Sequence, residues 1–388
     1  EGSFQNNQSQ LNNKFLNFLD INLKNISLKN VNFKSKNKFS LEIDNKFKFK
    51  NIILNSDINI DQINYKKPDF IDNYFLNIND SVLLKDNKLK LEYKNNDLSI
   101  NGEGKIKINE KFDIIKYLIN KKGDNLTFSS NLFLTSVNLK KQVFLKDFFP
   151  ELSEKINLSD HKLKIKYKNK NFSLSGKGKF KIDEEFDEIN YFLEKTESKV
   201  FFNTELNLEK TKFKIDNIKY KKRDKTKAFL QIKGELINNK KININNFSIS
   251  EEKNKIIINN LFFNNKKQII KVDHANFNYF DTERKKNNFN IKKLNDYNYK
   301  IEGISFNANS LISNLLKEDK AQENNILEKN LNIDLNLKKV YIDEIYFVNN
   351  LKGNLFVENN KVLDANISAF FENKKNISFT ISTNNQNE

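Results

Sequence analysis

Two stretches of this sequence carry the same pattern twice. "DNKLKLEYKNNDLSINGEGKIKINEKFDIIKYL", beginning at Asp86, and "DHKLKIKYKNKNFSLSGKGKFKIDEEFDEINYFL", beginning at Asp160, align without a gap at an offset of 74 residues. Leu89 falls on Leu163, Tyr93 on Tyr167, Gly102 and Gly104 on Gly176 and Gly178, and Asp113 on Asp187; the register runs on through Leu132 and Leu134 to Leu206 and Leu208. Self-similarity at a fixed period means stacked supersecondary units rather than one irregular core.

Within each unit the dominant period is two. Leu89, Leu91 and Tyr93 alternate with Lys and Glu, as do Leu98, Ile100, Ile106 and Ile108. Such alternation signals strands with one wet and one apolar face. It returns at Leu206 and Leu208, at Phe213 and Ile215, at Leu331 to Leu337, at Ala365 to Phe371 and at Ile377 to Ile381. Asn- and Lys-rich turns separate the runs at 94–97, 168–171, 237–241 and 357–361. At 10–14 residues per strand and turn the chain makes about 25–35 strands. The expected fold is therefore all-β: an elongated, highly curved antiparallel sheet, trough-like, with a few short helices. Those helices are expected at 110–119, at 184–193 and at 309–317, the last with Asn309 as N-cap. Asp113 and Asp187 would then complement helix N-termini.

The expected organisation is an N-terminal β segment over 1–85, a first repeat over 86–159, a second repeat with its continuation over 160–280, a polar connection over 281–298 and a C-terminal β region over 299–388. The stretch 317–330 reads as an exposed loop, and the last six residues as a frayed tail.

Little in the chain points to chemistry. It has no Cys, and its two His, His161 and His274, lie in unrelated strand-like stretches. His161 aligns with Asn87, so the repeat does not require imidazole there. The paired glycines do not make G-x-G-x-x-G, and on a strand they permit a sharp bend or a close backbone approach. No metal, cofactor or catalytic constellation is expected, and the protein reads as a non-enzyme. The net charge of +17 invites a nucleic-acid reading. Yet nearly all the basic residues are Lys, evenly spread, whereas phosphate recognition favours clustered Arg. AT-driven composition accounts for the excess, and no nucleic-acid partner is expected.

The last third carries "YKIEGISFNANSLISNLLKE" (299–318) and then a meander through Leu351, Gly353, Leu355, Ala365, Ile367, Ala369 and Phe371. This region, best over 299–382, resembles AsmA-like proteins, in particular the YhdP-type branch of Gram-negative bacteria. The resemblance implies a periplasmic β-groove, anchored in the inner membrane by a segment outside this chain, a start at Glu1 rather than Met being consistent with that. It implies acyl-chain lipid such as phospholipid as cargo, membranes at the ends of the array, and other envelope proteins as further partners. Leu89, Leu91, Tyr93, Leu163, Ile165, Tyr167, Leu206 and Leu208 are the expected lining. Three alternatives remain: a structural or adhesive β-solenoid with a filled core, an outer-membrane barrel, and a Lys-driven nucleic-acid binder.

Overall fold

The computed structural model describes residues 2–6, 29–66, 72, 75–76, 78–141, 143–238, 240–266, 268–309, 330–358 and 361–383. Strand makes up 74% of the chain, so the fold class is all-β. The chain divides into two compact units, Glu1–Val143 with Leu152–Glu197, and Phe144–Glu151 with Ser198–Glu388. The division falls at 197/198, inside the stretch read as the second repeat and its continuation. In each unit the sheet is curved and does not close.

The first unit contains β1 (Gly2–Asn6), β2 (Lys29–Ile43), β3 (Phe49–Lys66), β4 (Phe75–Leu76), β5 (Ser81–Lys94), β6 (Asp97–Lys107), β7 (Phe112–Lys122), β8 (Asn125–Lys140), β9 (Lys155–Lys168), β10 (Asn171–Lys181) and β11 (Phe186–Lys195). Apart from β4, they pair antiparallel, each with the next in the chain. The two-residue β4 pairs instead with the far end of β8, Phe75 opposite Leu139. Tight turns at Asn95–Asn96 and Asn169–Lys170 join β5 to β6 and β9 to β10. Both central residues have positive φ in each turn, the geometry whose twist matches that of the flanking strands.

The repeat is a repeat of structure. At Asp86 and Asp160 the backbone turns left-handed, with φ of 54° and 51°, and the ladder to the next strand slips by a residue. Each bulged Asp meets the lysine across from it at 3.0 Å, Lys105 in one repeat and Lys179 in the other. The slip restores alternation, so that Leu84, Asn87 and Leu89 share one face despite their odd spacing. The glycine pairs do what a close approach requires. A Cβ at Gly102 or Gly176 would lie 2.4 or 2.3 Å from the ring of Tyr117 or Tyr191; at Gly104 or Gly178 it would lie 2.4 Å from Asn87 or His161. Each missing side chain leaves the space that a cross-strand ring or amide occupies.

Two sequence expectations are overturned here. The segments 110–119 and 184–193 are not helices: they form β7 and β11. Their apolar residues read equally well at period two, with Asp113, Ile115, Tyr117 and Ile119 inward, and pairing on both sides of β7 decides for strand. Asp113 and Asp187 are consequently not helix-terminal charges but inward, buried side chains, and Asp113 Oδ1 accepts the Thr135 N–H at 2.7 Å. Beyond Asn309, the expected helix at 309–317 lies outside the described residues, as do most of the 317–330 loop and the last five residues.

The second unit contains β12 (Lys199–Leu208), β13 (Lys214–Ile215), β14 (Tyr220–Lys221), β15 (Ala228–Ile237), β16 (Lys241–Glu251), β17 (Asn254–Phe263), β18 (Ile269–Phe280), β19 (Lys286–Lys293), β20 (Asn298–Asn307), β21 (Leu331–Tyr341), β22 (Phe347–Glu358), β23 (Lys361–Phe370) and β24 (Asn376–Ser382). From β15 onward each strand pairs with the next, antiparallel throughout except β20 with β21, which are parallel. A parallel pair cannot be joined by a tight hairpin, and β20 ends at Asn307 while β21 begins at Leu331. The expected polar connection over 281–298 is corrected: it carries β19, paired on both sides. β13 and β14 form a separate hairpin, so Phe213 and Ile215 do not continue the main sheet as their alternation suggests.

Gly102→Ala and Gly176→Ala are each expected to destabilise the chain by about 1–3 kcal/mol through overpacking. Urea unfolding monitored by circular dichroism measures this. Shortening the facing ring, Tyr117→Leu or Tyr191→Leu, should recover part of the loss; full additivity of the paired changes would argue against the ring–glycine contact.

Candidate functional site

Directly opposed residues on neighbouring antiparallel strands share a face, so the ladders of the first unit sort its side chains into rows. One row runs Ser56, Leu91, Ile100, Ile119, Phe128, Tyr167, Phe172. The next runs Ile58, Leu89, Gly102, Tyr117, Ser130, Ile165, Leu174, Leu193, and a third joins Leu132, Leu163, Gly176 and Tyr191. A further row joins Leu54, Tyr93 and Leu98. The six expected lining residues of this unit therefore lie on a single apolar face. Their alignment by repeat and their alignment in space differ. Leu89 shares a row with Ile165, not with its repeat partner Leu163, because the ladder steps by two residues from one repeat to the next.

Burial along this inner face is graded. Towards the chain connections that follow β6, β8 and β10 it is closed: Leu132, Leu134, Val137, Leu158 and Phe180 are all buried. Towards the turns after β5 and β9 it is half open: Leu89, Tyr93, Ile100, Phe128, Ile165 and Tyr167 each retain accessible surface. Leu91 is buried. The opposite face is charged. An open depression of about 440 Å³ is bordered by Asp57, Asn59, Lys88, Lys90, Asn101, Glu103 and Lys116 together with Ile58, Leu89 and Gly102.

Polar atoms interrupt the inner face. The Asn87 amide, the Ser130 hydroxyl and His161 Nε2 are buried and have no hydrogen-bond partner among the described residues. His161 Nδ1 faces the Ser159 carbonyl at 3.1 Å. Desolvation moves the imidazole pKa down, against the Ser159 contact and the Asp160 charge, which keeps the ring neutral near pH 7. Unsatisfied buried polar groups are rare and call for an explanation. The repeat alignment pointed to position 87/161 as shared, but not to its burial.

Leu206 and Leu208 are buried in the second unit, where part of the inner face is covered, whereas Ile377 and Phe379 on β24 stay exposed. Residues 209–227 leave the sheet and return as a small lobe containing β13 and β14, and residues 148–149 pack against it. Rings then follow one another: Phe149 on Phe213 at 5.4 Å, Phe213 on Tyr220 at 6.5 Å, Tyr220 on Tyr279 at 5.8 Å, Tyr279 on Phe277 at 6.4 Å, Phe277 on Phe289 at 4.6 Å and Phe289 on Phe306 at 4.9 Å. Edge-on and offset contacts of this kind add to the hydrophobic gain.

Buried polar groups fasten the lobe. Glu251 is fully buried. It accepts hydrogen bonds from the Tyr220 hydroxyl at 3.0 Å, the Arg223 N–H at 2.8 Å, the Thr226 hydroxyl at 2.5 Å and the Asn254 amide at 3.2 Å. Burial alone would raise its pKa, but those donors together hold it below the usual carboxylate range. Lys222 Nζ donates to the carbonyls of Glu209 at 2.9 Å and Arg223 at 3.1 Å. On the adjoining hairpin, Asp281 accepts from the Asn287 and Asn307 amides at 3.0 and 2.8 Å, and the Tyr279 hydroxyl reaches the Ile218 carbonyl at 2.7 Å.

No family model, no curated protein and no solved structure matches the chain. Among the described residues no helix is long and apolar enough to cross a membrane, and no group of three or more His, Asp or Glu could hold a metal.

Two outcomes follow from these environments. Glu251→Ala leaves four donors facing a void and should cost about 3–5 kcal/mol; limited proteolysis should then cut within 209–227 before the rest of the chain. Tyr117 and Tyr191 have phenols pushed up to about 12 by burial, against about 10 when exposed. Their contribution to stability is intact below pH 10 and is lost as pH rises towards 12, because the unfolded chain ionises first. Phe at both positions should flatten that alkaline loss in a denaturant-by-pH series; an unchanged slope would show that these phenols are not buried.

Proposed function

We propose that this chain is a non-enzymatic protein of the bacterial envelope whose inner β-face shields or carries phospholipid between the inner and outer membranes. The observation that carries the reading is the graded inner face of the first unit. Contiguous rows of Leu, Ile, Tyr and Phe stand on one face of the sheet, many of them half exposed, with Lys and Glu on the reverse. Leaving so much apolar surface in water is costly, at about 25 cal/mol per Å², and an exposed contiguous apolar patch marks a binding surface. Acyl chains would cover it. The unpartnered Asn87, Ser130 and His161 atoms would then face the occupant or water held beside it. The resemblance of residues 299–382 to AsmA-like proteins of the YhdP type supports the same cargo class, a periplasmic location and attachment to the inner membrane by a segment outside this chain.

A second reading has its own support. The ring chain and the lobe cover the inner face of the second unit over β16–β20, as a structural β-solenoid with a filled core would require. On that reading Leu206 and Leu208 are core residues, and no lipid is carried.

Mass spectrometry of extracts from the purified chain separates the two. Phospholipid should co-purify, and Leu91→Asp or Ile165→Asp should lower its amount roughly tenfold or more, since a buried charge opposes an apolar occupant. Absence of lipid from the unaltered chain, with both variants folded, would favour the filled-core scaffold.

A further inference from the structure

β2 and β3 extend beyond the sheet. The ladder to β5 ends at Ile53 opposite Lys94, and the ladder to β1 ends at Asn37 opposite Gly2. Residues 40–52 therefore continue as a two-stranded finger, whose ladder among the described residues runs through Glu42–Lys50 and Ile43–Phe49, with the Asn95 N–H donating to the Ile52 carbonyl at its base at 3.2 Å. Two strands alone are marginally stable in water. This finger nonetheless exposes large apolar side chains: Phe39 is 61% exposed, Ile43 57% and Phe47 88%, with Leu41 and Ile52 also exposed.

Its tip is a built turn. Asp44 Oδ1 accepts the Lys46 and Lys48 N–H groups at 2.8 and 2.9 Å, and the Phe47 N–H donates to the Asp44 carbonyl at 2.9 Å. Phe47 itself sits at φ 57°, a left-handed conformation uncommon for a bulky residue. The same turn recurs at Asp281–Lys285, where Asp281 Oδ1 accepts two backbone N–H groups at 2.9 Å and Arg284 sits at φ 60°, so the backbone is a hairpin geometry of this fold; what sets the tip apart is the exposed ring of Phe47. Around the ring the charge is one-sided. Between positions 34 and 52 there are six Lys, against Glu42 and Asp44 alone.

We propose that this finger is a docking site for an anionic lipid bilayer surface. Phe47, Ile43 and Phe39 enter the boundary between headgroups and acyl chains, and Lys46 and Lys48 neutralise the headgroups. Charge complementarity selects the occupant. An apolar tip alone would fit any greasy partner, but an apolar tip ringed by Lys fits an interface that is apolar inside and negative outside. Lys side chains can follow by laying their methylenes along the apolar side and keeping the ammonium in water. The assignment extends the envelope reading above, yet it does not require the inner face to carry cargo.

The chain contains no Trp, which makes the test direct. Phe47→Trp places a single indole at the tip, and Phe370→Trp, at an exposed position on β23, serves as the comparison. The full chain is mixed with vesicles of phosphatidylcholine alone or with a third phosphatidylglycerol. The expected result is a blue shift of emission for Phe47→Trp with the anionic vesicles only, none for Phe370→Trp, and weakening at high salt. Lys46→Gln with Lys48→Gln should lower partitioning roughly 10- to 30-fold, at about 1 kcal/mol per Lys near the surface. Circular dichroism shows whether each variant folds. Three results would overturn the proposal: no shift for a folded Phe47→Trp, an equal shift with neutral vesicles, or a loss of self-association on Phe47→Ser without any vesicle binding, which would assign the finger to a second copy of the chain. Lipid co-purification is read separately: vesicle docking without bound lipid would count against the cargo reading and not against this one.

Discussion

Slip any ladder of the first unit by one residue, and Leu89, Leu91 and Tyr93 would exchange faces with Lys88, Lys90 and Glu92. The cost of carrying lysines to the buried half of the inner face far exceeds that of any turn or local propensity. Register is therefore fixed strand by strand, and much else follows from it. The bulges at Asp86 and Asp160 are allowed because they restore the alternation that an extra residue would break. The glycines opposite them are required because side chains from neighbouring strands converge on the inner face of a curved sheet. Even the half-open character of the inner face is a product of this constraint, since alternation gathers apolar residues without supplying a second layer to cover them.

The second unit meets the same constraint differently. Part of its inner face is covered by its own chain, through a lobe that leaves the sheet after Leu208 and rejoins it at Ala228. Rings supply the contact area, and Glu251 supplies the orientation. A carboxylate with four donors around it cannot be shifted by a residue or rotated without leaving charge or donors stranded. The lobe is thus held in one position by a buried polar group and kept there by aromatic packing, a division between specificity and stabilisation that an all-apolar contact would not provide.

Much of this was legible in the residues. Alternation gave the strands, the offset between Asp86 and Asp160 gave the repeated unit, Asn-rich segments gave the turns, and the paired glycines were correctly read as points of close approach. The failures have physical causes. "KFDIIKYL" satisfies a helical period and a strand period equally, and only pairing on both sides separates them. Phe213 and Ile215 alternate as strand residues should, but Phe213 precedes, and Ile215 ends, a two-residue strand that lies outside the main sheet. The burial of Glu251 and Lys222 could not be read from an apolar pattern, because the groups that satisfy them come from distant turns and backbone atoms. For the candidate lining, alternation in the sequence grouped the residues of β5 and β9 onto one face, as the ladders do. It could not show that the face closes at one end of the strands, nor that Leu206 and Leu208 would be enclosed.

The two-residue step between repeats has a further consequence. Where β8 meets β9, the second copy of the repeat begins displaced along the strand by about 7 Å, two residues of extended chain. Within the first unit a row of apolar side chains therefore passes from one position of the repeat to another as it crosses this joint. A side chain exchanged at the same repeat position in both copies would alter two different rows rather than one.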